Sequence, residues 1–217
     1  MAIFCFLVWY YPVGFYRNAD YTDAVHSRGT QTILVIWASF LFASSFAHML
    51  IAGLDSPEIA SSLSNILFIM MYVFCGILAG PDSLPRFWIF MYRVNPLTYM
   101  VSSFLSGAVG EAPMRCADNE ILSFAAPAGM TCWEYMRGYM STNPGYLLNS
   151  GAENNEACRF CTMDNTKDYL EGLNIQFSNR WRDFGLLWFY IVVNTIGAII
   201  FYKLFRVPRS KKGSKGQ

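Results

Sequence analysis

Three stretches of 19 residues or more in this 217-residue chain contain no Asp, Glu, Lys or Arg: residues 30–54, 59–80 and 184–202. A helix rises ~1.5 Å per residue, so crossing a hydrocarbon core of ~30 Å takes about 20 such residues. Runs of that length predict an all-α polytopic membrane protein. Composition agrees, because 54% of residues are apolar and only 14% are charged. A soluble domain of this size needs more charge to cover its surface. The net charge of +1 gives no sign of a nucleic-acid partner.

The charges that exist are unevenly placed, and they orient the runs. Lys203, Arg206, Arg209, Lys211, Lys212 and Lys215 follow the last run with no acidic residue among them. Basic residues beside a span are retained on the cytoplasmic side. The tail at 203–217 is therefore expected in the cytosol. Counting back, 184–202 enters from outside, the hydrophilic insert 107–183 is extracellular, 59–80 runs outward and 30–54 inward. The connection Asp55-Ser56-Pro57-Glu58 becomes a tight cytosolic turn, with Pro suited to a first helical turn. Residues 17–29 form a short external loop that carries Arg17 and Arg28 beside Asp20 and Asp23.

Residues 2–16 are apolar but too short to span. They lack the basic lead and small-residue cleavage site of a signal peptide. They read as the outer part of a span, and the chain as the tail of something longer. Residues 84–106 are apolar and aromatic, yet Pro85, Arg86, Arg93 and Pro96 interrupt them. Two arginines make a full crossing costly, and Pro96 disfavours helix at Asn95. Trp88, Tyr92 and Tyr99 suit the headgroup level. A re-entrant or interfacial hairpin is expected there, and broken backbone at such depth needs protein or a water-filled cavity around it.

Four of the six cysteines, Cys116, Cys132, Cys158 and Cys161, lie in the insert. An even set in an oxidising compartment reads as two disulfides, with three possible pairings. A bond from Cys158 to Cys161 would leave the long arms untied. Nested pairing, Cys116 with Cys161 and Cys132 with Cys158, is preferred, and crossed pairing stays open. A zinc site is disfavoured, since only one Cys-x-x-Cys pair is present and the insert has no histidine. No metal site is expected.

Catalytic constellations are not found. His26 and His48 stand far apart, no nucleophile or zinc-binding motif is present, and no Walker loop offers a phosphate site. The chain is not expected to be an enzyme by itself. The run 59–80 instead supplies bulky, adaptable side chains, among them Phe68. Asn65, Ile69 and Tyr72 recur at i, i+4 and i+7, so one helical face holds an amide, a hydroxyl and aliphatic area. Such a face suits a pocket for varied apolar molecules. Read from the residues alone, such a face is more often a helix–helix interface, with Asn65 bonded across it.

Taken in order, several motifs resemble the fungal pleiotropic drug resistance transporters, the full-size ABCG-type ABC exporters. They are Tyr-Tyr-Pro-Val-Gly-Phe-Tyr-Arg-Asn-Ala at 10–19, Phe-Cys-Gly-Ile-Leu at 74–78 and Pro-Arg-Phe-Trp-Ile-Phe-Met-Tyr-Arg-Val-Asn-Pro-Leu-Thr-Tyr at 85–99. Cys-Ala-Asp-Asn-Glu at 116–120, Gly-Met-Thr-Cys at 129–132, Cys-Arg-Phe-Cys at 158–161 and Arg-Trp-Arg-Asp-Phe-Gly at 180–185 complete the set. The resemblance implies the end of a second transmembrane domain, from a partial third helix to the sixth. It implies a substrate cavity lined by 59–80, with Asn65, Phe68, Ile69 and Tyr72 facing drugs or lipids. Ile77 and Leu78 would form an apolar exit plug, and the disulfide-bonded loop an extracellular cap.

The resemblance also implies partners: the bilayer, a first membrane half, and nucleotide-binding domains that hold ATP and Mg. None of these domains lies within these residues. The expected function is thus that of a fragment of a plasma-membrane efflux transporter, not competent for transport alone. The alternative is a non-transporting truncated protein that assembles with or regulates full-length transporters.

Overall fold

The computed structural model describes residues 1–21, 25–78, 80, 84–127, 129–151 and 157–207. Its helices are α1 (Ala2–Tyr10), α2 (Phe15–Tyr21), α3 (Val25–Gly53), α4 (Pro57–Val73), α5 (Arg86–Val94) and α6 (Pro96–Val109). In the insert come β1 (Leu122–Phe124), α7 (Cys132–Met140), β2 (Tyr146–Leu147), β3 (Cys158–Cys161) and α8 (Thr166–Gly172), and the chain ends on α9 (Arg180–Phe201). Two compact units result. One comprises Met1–Phe6, Ile33–Phe104 and Trp181–Gln217; the other comprises Leu7–Thr32 and Leu105–Arg180.

The first unit is built on α3, α4 and α9. Ala38 and Phe42 on α3 and Leu187 and Ile191 on α9 are buried pairs at i, i+4, and Phe68 and Met71 of α4 pack on them. Trp37 meets Trp188 edge-on at 5.9 Å. Small residues let the backbones approach, as membrane helices require where no hydrophobic force drives them together. A Cβ on Gly197 would lie 2.9 Å from the Met49 sulfur. The turn into α4 is capped as its sequence suggests. Ser56 Oγ accepts from the Ile59 amide, Pro57 occupies the first turn and Glu58 follows it.

Two stretches of the described residues are long and apolar enough to cross a membrane, His26–Gly53 and Phe177–Arg206. The run 59–80 departs from its expected length. Its helix, α4, ends at Val73 after 17 residues, about 26 Å of rise. The stop comes from Gly76, whose φ is +93° and whose Cβ position would lie 2.6 Å from the Tyr92 ring. No residue with a side chain fits there. Residues 2–16 likewise form two short helices divided by a turn at 11–14. Of the loop at 17–29, Asp23 lies outside the described residues, and so do Arg209, Lys211, Lys212 and Lys215 of the tail.

The second unit is centred on the insert, which closes in successive rungs. Backbone bonds join Met114 N–H to Asp164 and Thr166 N–H to Ala112. Next comes the Cys116–Cys161 disulfide, then the antiparallel sheet in the order β1-β3-β2, then the Cys132–Cys158 disulfide. This is the nested pattern. Phe160 is buried at its centre, with Tyr139 edge-on at 5.9 Å. Helix α7 starts on a capping box, Thr131 with Glu134.

Candidate functional site

Helix α4 turns a narrow face inward. Ala60 is buried, Ser64, Leu67 and Met71 are half-buried, and their spacing of i, i+4, i+7, i+11 marks one stripe. The remaining surface is open. Asn65, Ile69 and Tyr72 all lie on it, and Ile69 is 61% exposed. Phe68 does not join them. It borders the inward stripe, and its ring meets Phe46 edge-on at 5.4 Å as part of the packed cluster. The structure therefore brings three of the four expected lining residues onto an open face and gives the fourth to the core.

Asn65 also lines a cleft of about 230 Å³ between the ends of α3 and α4, with Leu50, Ile51, Ser61 and Ser64. Those two serines were not singled out from the sequence. Their signal was available, since 61, 64 and 65 fall on adjacent helical positions.

Beyond Val73 the described residues make an elbow against α5, and the polar groups at the break between α5 and α6 have partners. Phe74 stacks on Trp88 at 5.0 Å, and Cys75 is buried. Ile77 and Leu78 stand out from the bend, 52% and 75% exposed. At the α5–α6 break, Asn95 is extended, as a residue before proline should be. Its Oδ1 accepts from the Leu97 amide at 3.0 Å, and its Nδ2 donates to the Met71 carbonyl at 2.6 Å.

Three hydroxyls complete the arrangement. Thr98 donates to the Tyr92 carbonyl at 3.0 Å, Tyr99 to Arg93 at 2.6 Å and Tyr190 to Val94 at 2.8 Å. The last carbonyls of α5 would otherwise be orphans. These bonds give partners to backbone that the break leaves outside the helical ladder. The sequence located the break through Pro96 but not these partners, because Tyr190 lies on another helix.

One carboxylate lies outside the uncharged run yet inside its helix. Helix α9 begins at Arg180, four residues before the uncharged run, so Asp183 falls in its first turn and is buried. Its Oδ2 accepts from Ser102 Oγ at 2.6 Å, and its Oδ1 accepts from Arg182 at 2.9 and 3.0 Å. A carboxylate near a helix N-terminus is favoured by the dipole, and pairing offsets its burial. Both carboxylate oxygens have a donor, so Asp183 ties α6 to α9.

In the second unit, Arg28 is buried, donates to the Gly107 carbonyl at 3.3 Å and lies 4.9 Å from the Phe177 ring centre. It is a packed residue rather than a loop charge. In the insert, Glu134 accepts from the Thr131 amide at 2.9 Å, and that bond holds its carboxyl below the usual carboxylate range. No cluster of metal-ligating side chains occurs among the described residues. The sequence has no glycine-rich loop with a following lysine to cradle ATP, so no step of nucleotide chemistry is assigned to its residues.

These features define a class: a helical membrane segment with a broken-helix elbow and a disulfide-closed hydrophilic insert. The chain belongs to the ABC-2 type transporter family, whose model matches residues 1–109. It is similar to "ABC multidrug transporter F" of Aspergillus fumigatus, 63% identical over 97% of this chain and 14% of the relative. It is also similar to "ABC multidrug transporter C" of the same fungus, 48% identical over 98% of this chain and 14% of the relative. "ABC multidrug transporter AFR2" of Cryptococcus neoformans var. grubii is 48% identical over 97% of this chain and 14% of the relative. The chain thus spans 14% of the length of these curated relatives.

Proposed function

We propose that this chain forms part of the substrate cavity and the extracellular cap of an ATP-driven exporter of apolar drugs or lipids. In this reading it lies in the second membrane half, with ATP and Mg held by nucleotide-binding domains outside the segment. The plasma membrane is its site, the insert faces outward, and the basic C-terminus is cytosolic. Asn65, Ile69 and Tyr72 contact substrate, and Ile77 and Leu78 close the exit. The observation that carries this is the open face of α4. It sets an amide and a phenol within aliphatic surface, beside an elbow that exposes two aliphatic side chains. Adaptable apolar lining with few fixed polar groups suits many ligands. The names of the relatives agree with it.

The test is made in an exporter-length protein that carries this segment. Asn65→Ala and Tyr72→Ala are expected to change resistance to some drugs by about three- to tenfold, the worth of one hydrogen bond, and to leave others unchanged. Resting ATPase activity should change less. An equal loss for every drug, together with poor expression, would make the face a packing surface instead.

A further inference from the structure

At the end of α9 the helix widens into a π-helical turn, Tyr202–Arg206. This turn and the last turns of α3 border a cleft of about 720 Å³. One wall is aliphatic, made of Ile51, Ala52, Ala198 and Ile199. The rim carries His48, Lys203 and Arg206 with Tyr202, and no carboxylate lines it.

The rim is built, not merely basic. Arg206 Nη2 donates to the Leu54 carbonyl at 2.7 Å and to the Ile51 carbonyl at 3.2 Å. These bonds fix the guanidinium on the end of α3, where a cation is favoured by the dipole. They use one nitrogen and leave Nε and Nη1 without a partner among the described residues. His48 Nδ1 lies 2.6 Å from the Ser44 carbonyl, which can only accept. The proton is therefore on Nδ1, and Nε2 remains for another group. Lys203 takes part in none of the ion pairs among the described residues, and neither does the exposed Asp55 that follows Leu54.

We propose that this cleft binds one anionic phospholipid, its headgroup phosphate on Lys203 and Arg206 and an acyl chain along the aliphatic wall. Position argues for a lipid. The π turn ends the apolar length of α9, where hydrocarbon gives way to headgroups, and Tyr202 suits that level. Basic pockets between membrane helices recognise anionic headgroups. A free phosphate would use the rim and leave the wall unpaired. An acidic peptide would need backbone partners that these aliphatic side chains do not offer. The inference rests on α9 spanning the bilayer and is independent of substrate export.

The test uses the full chain in nanodiscs of phosphatidylcholine with a minority of phosphatidylserine. A diazirine is placed in the acyl chain of one lipid or the other, and crosslinked peptides are mapped. Phosphatidylserine should label the peptides around Ile51 and Ile199 in preference to phosphatidylcholine. Lys203→Gln should reduce that preference roughly fivefold, the worth of one basic residue at an anionic surface. Lys203→Arg should restore it. Arg206→Gln also uncaps α3, so Lys203 is the informative position. Excess inorganic phosphate should not compete. Equal labelling by both lipids, absence of label at the cleft, indifference to Lys203→Gln, or competition by phosphate would each overturn the proposal.

Discussion

Around Phe160 the insert closes on itself through two disulfides, a three-stranded sheet and a capped helix. Along α4, by contrast, Ile59, Ile66, Ile69 and Tyr72 are each more than half exposed. The insert contains its own partners, as a small segment without much apolar core must. Helix α4 spends one stripe on packing and leaves the rest for lipid, ligand or further protein. Substitutions in the insert should therefore be felt as lost stability, and those on the open face of α4 as altered recognition.

The largest expected effect tests the insert half of this contrast. Breaking Cys132–Cys158 with paired serines frees a span of 26 residues, which costs about 3.5 kcal/mol on the chain-entropy account. Hydrogen exchange should rise across β1, α7 and β3, and limited proteolysis should cut there first. Unchanged protection of β3 would mean that the sheet and the Cys116–Cys161 bond suffice, and the contrast would weaken.

Glycines sharpen it further. Gly76→Ala places a methyl at a left-handed φ and against Tyr92, and should lower the stability of the α4–α5 elbow by about 1–3 kcal/mol. A methyl added to Gly138 in α7 would meet nothing within 4 Å. Gly138→Ala should raise stability by about 0.4–1 kcal/mol. Thermal melts of the two variants in one detergent decide the matter, and melts shifted in the same direction would contradict it.

Asn95→Ala comes next. It removes the bonds to Met71 and Leu97 together and strands the buried Leu97 amide. A loss of about 2 kcal/mol is expected, with increased exchange at the Leu97 amide. Asn65→Ala, on the open face, should leave the melt within about 0.5 kcal/mol of the parent, as surface substitutions do. If both asparagines behaved alike, the division of α4 into a packed stripe and an open face would fail.

How much of this could be read from the chain follows from which partners are local. Absence of charge revealed the long helices, because insertion depends on composition alone. Pro96 revealed the break between α5 and α6, and cysteine spacing favoured the nested bonds. The early stop of α4 was hidden, since 74–80 stays apolar and the Tyr92 ring that requires a glycine at 76 lies on another helix. The inward turn of Phe68 was hidden too. Periodicity says which residues share a face, but not which face meets α3 and α9. Asp183 borders the uncharged run, and its partners, a helix N-terminus and Ser102, are seen only in the structure.

The smallest effect probes the insert at its surface. The Thr131 amide and hydroxyl both reach Glu134, which lowers its carboxyl pKa in the folded state. A group depressed on folding adds stability that is complete above its unfolded value, about 4.3. That contribution fades as pH falls through the folded value. Protection of the Thr131 amide, corrected for intrinsic exchange, should thus be level from neutral pH to about 5 and decline below that. Glu134→Gln keeps an acceptor for the capping box and removes the charge, so its profile should be flat through the same range. Glu134→Ala should lower protection at every pH. A profile for Glu134→Gln that still falls in acid would assign the decline to other carboxylates, Asp118 beside Arg159 first among them. The cap would then contribute through geometry alone.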